Sequence, residues 1–424
     1  MSDLYQLVTE GSRVFIHGGC ATPRYFIKQL ESLKDQVRGV TLYHLHTHGP
    51  ALYAGPDFHK TFTVHNLFVG QNIRASVDLE HVDYIPCFLS EIGTLFRRGV
   101  IPLDLAIVQV SPPDAHGYCS LGTSVDVAKA AFDSAKKKVV LINHQMPRTH
   151  GDGHIFLREA DLIKEVDEPL YEVTLPEVTE AESRIGQIVA GLVEDGSTIQ
   201  TGIGGVPSAV LASLKNHKNL GVHSEMWTDA LLDLIHLGVV NNSQKKVHPG
   251  KTVASFVIGT RKLFDFIHDN PSVVMLEASY VNQPNVIARN PKVVAINSCV
   301  EMDLTGQVCA DSIGYKIISG VGGQMDFMRA AFLSEQGKPI LAFTSRTKSG
   351  ISRIVSQLRP GAGVVTTRAH VHYVVTEWGY ACLSGLSINQ RAKKMIELAH
   401  PEDRDRLARE WEAIKKTLKP SILQ

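Results

Sequence analysis

The sequence carries no surplus charge: 43 Lys and Arg residues balance 43 Asp and Glu residues, for a formal net charge of 0. Broad nucleic-acid binding needs a basic face, and a balanced chain supplies none. No run of apolar residues is long enough to span a bilayer. The opening residues, MSDLYQLVTEGSRVFIHGG, show neither the basic n-region and apolar core of a secretory signal nor an Arg/Ser-rich amphipathic presequence. The six cysteines, at 20, 87, 119, 299, 309 and 382, make no CxxC pair. They read as reduced, mostly buried thiols. No segment is of low complexity. The expectation is a cytoplasmic protein with no membrane and no nucleic acid among its partners.

What is present is ordinary globular material. Hydrophobic residues make up 44% and charged residues 20% of 424 positions, enough to build sizeable cores in two or three domains. The chain also repeats itself. Gly11-Ser12-Arg13-Val14-Phe15-Ile16-His17-Gly18-Gly19 is echoed by Gly196-Ser197-Thr198-Ile199-Gln200-Thr201-Gly202-Ile203-Gly204. The apolar run Asp104 to Val110, followed by Asp114-Ala115-His116-Gly117-Tyr118-Cys119, is echoed by Val293 to Asn297 and Asp303 to Cys309. Two matches in the same order at nearly the same spacing argue for a duplicated α/β unit. Strand-like runs alternate with helical patterns in each copy, which implies mainly parallel sheets with helices on their faces. In the first copy strands are expected at Thr41 to His46, Phe62 to Phe68 and Val139 to Asn143. In the second they are expected at Thr252 to Ile258, Val273 to Leu276, Ile340 to Thr344 and Val371 to Thr376. Pro169, Pro176 and neighbouring acidic residues break the periodicity before a helix at Ala181 to Leu192, so the boundary is expected between domains 1–180 and 181–424. The charge-laced tail, Glu402 to Lys416, reads as a helix.

One stretch concentrates the chemistry. A short strand ending at Thr201 runs into Gly202-Ile203-Gly204-Gly205-Val206, then Pro207 and a helical segment, Ser208 to Leu214. A second strand, Gly221-Val222-His223-Ser224, delivers Glu225. Ligands of open α/β sheets collect at the carboxyl ends of strands, and backbone N–H groups at a strand-to-helix turn favour anions. A nucleotide fingerprint is the competing reading, but GIGGVP lacks the full G-x-G-x-x-G spacing. His44, His46 and His48 alternate, so on a strand they would share a face. No Cys or carboxylate is spaced nearby to complete a metal site. Asp114-Ala115-His116-Gly117 has the look of a catalytic histidine motif, with a structural turn as the plainer reading.

The segments VSPPDAHGYCSLGTSVD (110–126), TGIGGVPSAV (201–210), HSEMWTDALLDL (223–234), INSCVEMDLTGQV (296–308), SGVGGQMDF (319–327) and VTEWGYACLSGLS (375–387) resemble the acetyl-CoA hydrolase/transferase family of class I CoA-transferases. The family includes 4-hydroxybutyrate, butyrate and succinate:acetate CoA-transferases, and the resemblance covers essentially the whole chain. It implies two tandem open α/β domains, an active site in the cleft between them, and a homodimer or larger assembly. It makes Glu225 the nucleophile of a glutamyl-CoA thioester mechanism. It places an oxyanion-stabilising amide at Gly323, and Asn282 as the residue that orients the glutamate. Coenzyme A contacts are implied at Gly202, Ile203, Gly204, Gly205, Val206, Val300, Gly320 and Gly323. Arg74, which follows a strand and Gly70, and Glu377 are candidate substrate residues. Coenzyme A enters as substrate, with a short-chain acyl-CoA and a free carboxylate as partners; no prosthetic group and no metal are expected. Three competing functions share parts of this evidence: an acyl-CoA hydrolase using the same glutamate, a non-catalytic CoA-binding protein, and a metallohydrolase built on the histidines.

Overall fold

The computed structural model describes residues 4–418. Its first half is organised on a seven-stranded sheet. The strands are β1 (Arg13–Ile16), β2 (Val40–His44), β3 (Phe62–Asn66), β4 (Val82–Tyr84), β5 (Leu105–Val110), β6 (Lys137–Asn143) and β7 (Leu162–Val166). They lie in the order β4-β3-β2-β1-β5-β6-β7 and every pair is parallel. All six residues of β5 are buried, as expected of a central parallel strand covered on both faces. The strand β5 thus needs no alternation of polar and apolar residues, which is why Leu105 to Val110 reads as an apolar run broken only by Gln109.

The second half repeats the plan. β8 (Thr198–Thr201), β9 (Gly221–Val222), β10 (Val293–Asn297), β11 (Lys338–Ala342), β12 (Tyr373–Thr376) and β13 (Gly379–Cys382) are ordered β9-β8-β10-β11-β12-β13. Only the last pair is antiparallel. In each sheet the first strand sits between the second and the strand that carries the echoed apolar run. This reversal of strand order is a topological switch point, where clefts form at the carboxyl ends.

Two expected strands differ in detail. Thr252 to Ile258 is not one strand but two short ones, Thr252–Ala254 and Phe256–Val257, in different two-stranded ribbons. The break falls at Ser255, whose amide leaves the ladder to donate to the Glu225 carbonyl at 2.9 Å. The expected strand at 221–224 ends at Val222. Beyond it the His223 amide still donates to Ile199 O at 3.2 Å, and His223 and Ser224 make single contacts with Val253.

Helices pack where the sequence permits close approach. The helix α2 (Glu180–Ala190) starts on a full capping box, with the Thr179 hydroxyl accepting from the Glu182 amide. Its Gly186 faces α3 (Gly205–Ser213) so tightly that a Cβ there would lie 2.6 Å from the Ala209 backbone. The tail helix spans Pro401–Thr417, with Leu407 and Trp411 buried. One core cluster runs through both halves, from Phe15 and Val108 to Ile199, Trp227 and Ile340. No helix among the described residues is long and apolar enough to cross a membrane.

Candidate active site

The two halves meet along the edge where both sheets present their carboxyl ends. The helix α1 (Leu89–Arg97) belongs to the first half, and the loop 319–323 to the second. The Leu89 amide donates to Gly322 O at 3.0 Å, the Val69 amide to Ser319 O at 3.2 Å, and the Val321 amide to the Tyr84 hydroxyl at 2.9 Å. Phe68 presses on Gly320 closely enough that a Cβ there would lie 2.7 Å from its ring, so only glycine fits. Gly322 adopts a φ of 58°, in the region that favours glycine.

Glu225 is delivered to this seam by the end of β9. The Ser224 hydroxyl donates to Met226 O at 2.7 Å and accepts from the Thr201 amide at 3.3 Å, tying the residue before Glu225 to the end of β8. The buried Lys245 ammonium donates to Val222 O and Lys251 O, and His223 Nε2 meets Val281 O at 2.9 Å. Burial pushes the Lys245 ammonium down to about 7 and the His223 imidazole to about 3. The backbone that presents Glu225 is therefore anchored on every side, and the side chain inherits a fixed position.

Around the carboxylate the groups are few and specific. Asn282, fully buried, donates its side-chain amide to Glu225 Oε2 at 2.8 Å. Gly323 lies against the same oxygen: a Cβ there would overlap both Glu225 Oε2 and Asn282 Nδ2. Burial raises the Glu225 carboxyl to about 7. The Asn282 amide and the Gly323 backbone N–H pull it down, while the charges of Asp326 and Asp126 push it up. Asp326 is on the first turn of the helix α4 (Gln324–Leu333), where it accepts from the Ser90 hydroxyl of α1 at 3.0 Å. Its carboxyl is also raised to about 7, chiefly by burial.

Glu225 opens onto a cavity of about 410 Å³. Gly202, Ile203, Gly320 and Gly323 line it, as does Arg74. Those expected site residues are brought together. Gly204 forms the N-terminal cap of α3 with a φ of 124°. Gly205 and Val206 do not line the cavity. A Cβ on Gly205 would overlap the Glu182 carboxylate, and Val206 is buried in the shared core. Val300 does not line the cavity, and its amide is taken by Cys309 O at 2.8 Å. Glu377 does not line it either: its two oxygens accept from the amide and hydroxyl of Ser345 at 2.8 and 2.6 Å.

The histidines separate. His44 turns to the Tyr53 hydroxyl at 3.3 Å, while His46 and His48 meet edge to face at the cavity wall. Asp114 closes a turn by accepting from the amides of His116 and Tyr118, so the DAHG segment is a turn. Sequence reading missed Asp326 and Ser90. The signal for Asp326 lay in the segment SGVGGQMDF, three residues past Gly323, but nothing local points to its partner 236 residues away.

Comparison with known proteins identifies relatives along nearly the whole chain. The models of the acetyl-CoA hydrolase/transferase N-terminal and C-terminal domains match residues 1–173 and 259–411. The chain is 50% identical to a succinyl-CoA:acetate/propanoyl-CoA:succinate CoA transferase of Fasciola hepatica, over 96% of this chain and 85% of that one. It is 45% identical to a 4-hydroxybutyrate coenzyme A transferase of Clostridium kluyveri, over 94% of each. Among solved structures, a 4-hydroxybutyrate CoA-transferase of Porphyromonas gingivalis superposes with a TM-score of 0.82 at 38% identity, covering 97% of this chain and 96% of that one.

Proposed function

The chain belongs to the acetyl-CoA hydrolase/transferase family and is a CoA-transferase, and we propose that it moves CoA between a short-chain acyl-CoA and a free carboxylate such as acetate through a glutamyl-CoA thioester on Glu225. The observation that carries the reading is the carboxylate of Glu225, held by Asn282 against Gly323 in the lining of a half-open cavity.

The chemistry follows from those groups. The ionised Glu225 attacks the thioester carbonyl, and the carbonyl oxygen gains negative charge opposite the Gly323 amide. The C–S bond breaks, leaving an acyl-glutamyl anhydride and CoA thiolate. The thiolate attacks the glutamyl carbonyl, expels the acyl group as a carboxylate, and leaves CoA on Glu225. An acceptor carboxylate then runs the same steps backwards. No net proton moves, so no general acid is needed. An amide aimed at the developing oxyanion is typically worth about 3 kcal/mol of barrier. Burial that raises Glu225 also strips part of its hydration, which sharpens its nucleophilicity once ionised.

Coenzyme A is a substrate in this scheme, contacted at Gly202, Ile203 and Gly320, and no prosthetic group takes part. The same reading carries a homodimer or larger assembly, a cytoplasmic location, and a division at 180/181. That division is supported by the first sheet's last strand ending at Val166 and the second sheet's first strand starting at Thr198. The test is to supply butyryl-CoA and acetate and follow acetyl-CoA and free CoA together. Acetyl-CoA should form one for one with butyryl-CoA loss. Free CoA without acetyl-CoA would replace transfer by hydrolysis, and neither product would remove the reading.

A further inference from the structure

A second cavity, of about 640 Å³, lies behind the one that holds Glu225, and the wall between them is a single layer of chain. Residues next to each other in sequence line opposite sides of it. Leu89 lines the front cavity, and its neighbours Phe88 and Ser90 line the rear one. Gly322, Gly323 and Gln324 line the front, and Met325 and Asp326, which follow them, line the rear. Asn282, which holds the Glu225 carboxylate, is followed by Gln283 of the rear cavity. The transfer chemistry uses the front cavity and gives the rear one no part.

The wall is built from both halves of the chain, so side-chain bonds must hold it shut. The Ser90 hydroxyl of α1 donates to Asp326 Oδ1 of α4 at 3.0 Å, across 236 residues of sequence. Burial raises the Asp326 carboxyl, and the Ser90 hydroxyl, the Asn282 amide and the Ser90 backbone N–H all favour its ionised form, against the charge of Glu91. A carboxylate at the start of α1 meets N–H groups that the helix itself leaves unpaired. At the other end of α1, Arg97 pairs with Glu277 at 2.5 Å. Glu277 and Asn282 flank the short helix Ala278–Val281 at its two ends. Ser90, Asp326, Asn282 and Glu225 thus form one chain of contacts from the rear cavity to the reacting carboxylate. Two polar atoms in that chain, Asp326 Oδ2 and Asn282 Oδ1, are buried and have no hydrogen-bond partner. Both are footholds for a water admitted through the wall. Asp326 is only 7% exposed although it lines the rear cavity, so the wall is closed as it stands.

We propose that the hydrogen bond from Ser90 to Asp326 is the latch of this wall, and that the two residues determine the acceptor: they keep water of the rear cavity from the glutamyl thioester, which then waits for a carboxylate. This rests on the CoA-transfer reading and adds to it the residues that make water a poor acceptor. In the loaded enzyme the CoA arm occupies the front cavity, so the rear wall is the face that the protein itself has to close. With the latch broken, water reaches the glutamyl carbonyl. Its oxygen bonds to the carbonyl carbon and the C–S bond breaks. One proton of the water goes to the departing thiolate and the other to solvent. Glu225 returns as a carboxylate, and CoA leaves as the free thiol with no acyl group activated. A pair that only held the shape of the seam would slow transfer and hydrolysis alike when broken.

The experiment supplies butyryl-CoA and acetate and reads the ratio of free CoA to acetyl-CoA within each protein. Ser90→Ala should raise that ratio by roughly 10-fold or more, the scale of one lost hydrogen bond to a carboxylate. Asp326→Ala should raise it at least as far. Ser90→Thr keeps the hydroxyl and should hold the ratio within about 2-fold of wild type, well below the loss of such a bond. Protein loaded with CoA on Glu225 and freed of donor should shed CoA faster in Ser90→Ala than in wild type by the same factor. Because the readout is a ratio within one variant, partial misfolding does not imitate it. An unchanged ratio in Ser90→Ala, with both products falling together, would overturn the latch and leave the bond a structural one. An equal rise in Ser90→Thr and Ser90→Ala would overturn the role of the hydroxyl. Failure of the glutamyl reading looks different: no CoA would be found on Glu225 in any of these proteins, whatever their ratios.

Discussion

The side-chain amide of Asn282 donates to Oε2 of Glu225 at 2.8 Å, across 57 residues of sequence. A neutral donor fixes the carboxylate rotamer without neutralising its charge, which a lysine or arginine would do. Asn282→Ala should therefore reduce kcat by about 10–100-fold, the range expected when one preorganised hydrogen bond at a reacting group is lost. Steady-state kinetics with butyryl-CoA and acetate measure it. A kcat within about 2-fold of wild type would take Asn282 out of the site, being far below the loss of such a hydrogen bond.

The intermediate is open to direct capture. Incubation with an acyl-CoA and no acceptor should leave CoA on Glu225, and borohydride should reduce that thioester to an alcohol. Peptide mass then reports the position. Glu225→Ala should abolish both the label and turnover. A label on another carboxylate, Asp326 being the nearest rival, would reassign the nucleophile. Double-reciprocal plots should be parallel, because the first product leaves before the second substrate enters.

Gly323 admits no side chain. Even the single carbon of alanine would overlap Glu225 Oε2 and Asn282 Nδ2. Gly323→Ala should reduce kcat by roughly 100-fold, the cost of displacing one oxyanion donor, with Gly323→Val at least as severe. Coenzyme A affinity should fall less, since Gly202 and Ile203 stay in place. Melting temperature should change little, because the atoms a Cβ would meet are side-chain ends of Glu225 and Asn282 rather than backbone. Near-normal kcat in Gly323→Ala would remove its amide from the mechanism.

Much of this site could be read from the sequence because the information is local. The run into Gly202, the glycines at 320–323 and the Ser224-Glu225-Met226 segment each carry their geometry within a few residues. The parallel sheets were legible for a similar reason, as strands buried on both faces leave nearly continuous apolar runs such as 105–110, where Gln109 alone is polar. What escaped is set by partners far along the chain. Gly205 is a glycine because Glu182 occupies the space a side chain would need. Glu377 has a carboxylate's chemistry but spends it on Ser345. The apolar run at 252–258 looks like one strand, yet the Ser255 amide is drawn away to Glu225. No periodicity encodes such choices; they are made when the two halves close.

The pH dependence of turnover is set by opposed neighbours of Glu225. Glu225 must be ionised to attack, and burial holds its carboxyl at about 7, so kcat/KM should rise with pH through about 7 and level off above it. Asn282 and the Gly323 amide favour the ionised form, while Asp326 and Asp126 oppose it. Asn282→Ala should therefore move the acid limb to higher pH and Asp326→Asn to lower pH. The limb belongs to the coupled Glu225–Asp326 pair, so only the directions are assigned to single residues. Stability must follow the same logic. Both carboxyls have folded values above their ordinary ones, so they favour the folded state below about 4.5 and that contribution is lost as pH rises through about 7. Glu225→Gln, neutral at every pH, should then raise the melting temperature relative to wild type at pH 8 by about 1–3 °C, and hardly at all at pH 5. Shifts of the two limbs in the same direction, or a Glu225→Gln variant stabilised more at pH 5 than at pH 8, would show that Glu225 is not the buried, half-suppressed acid described here.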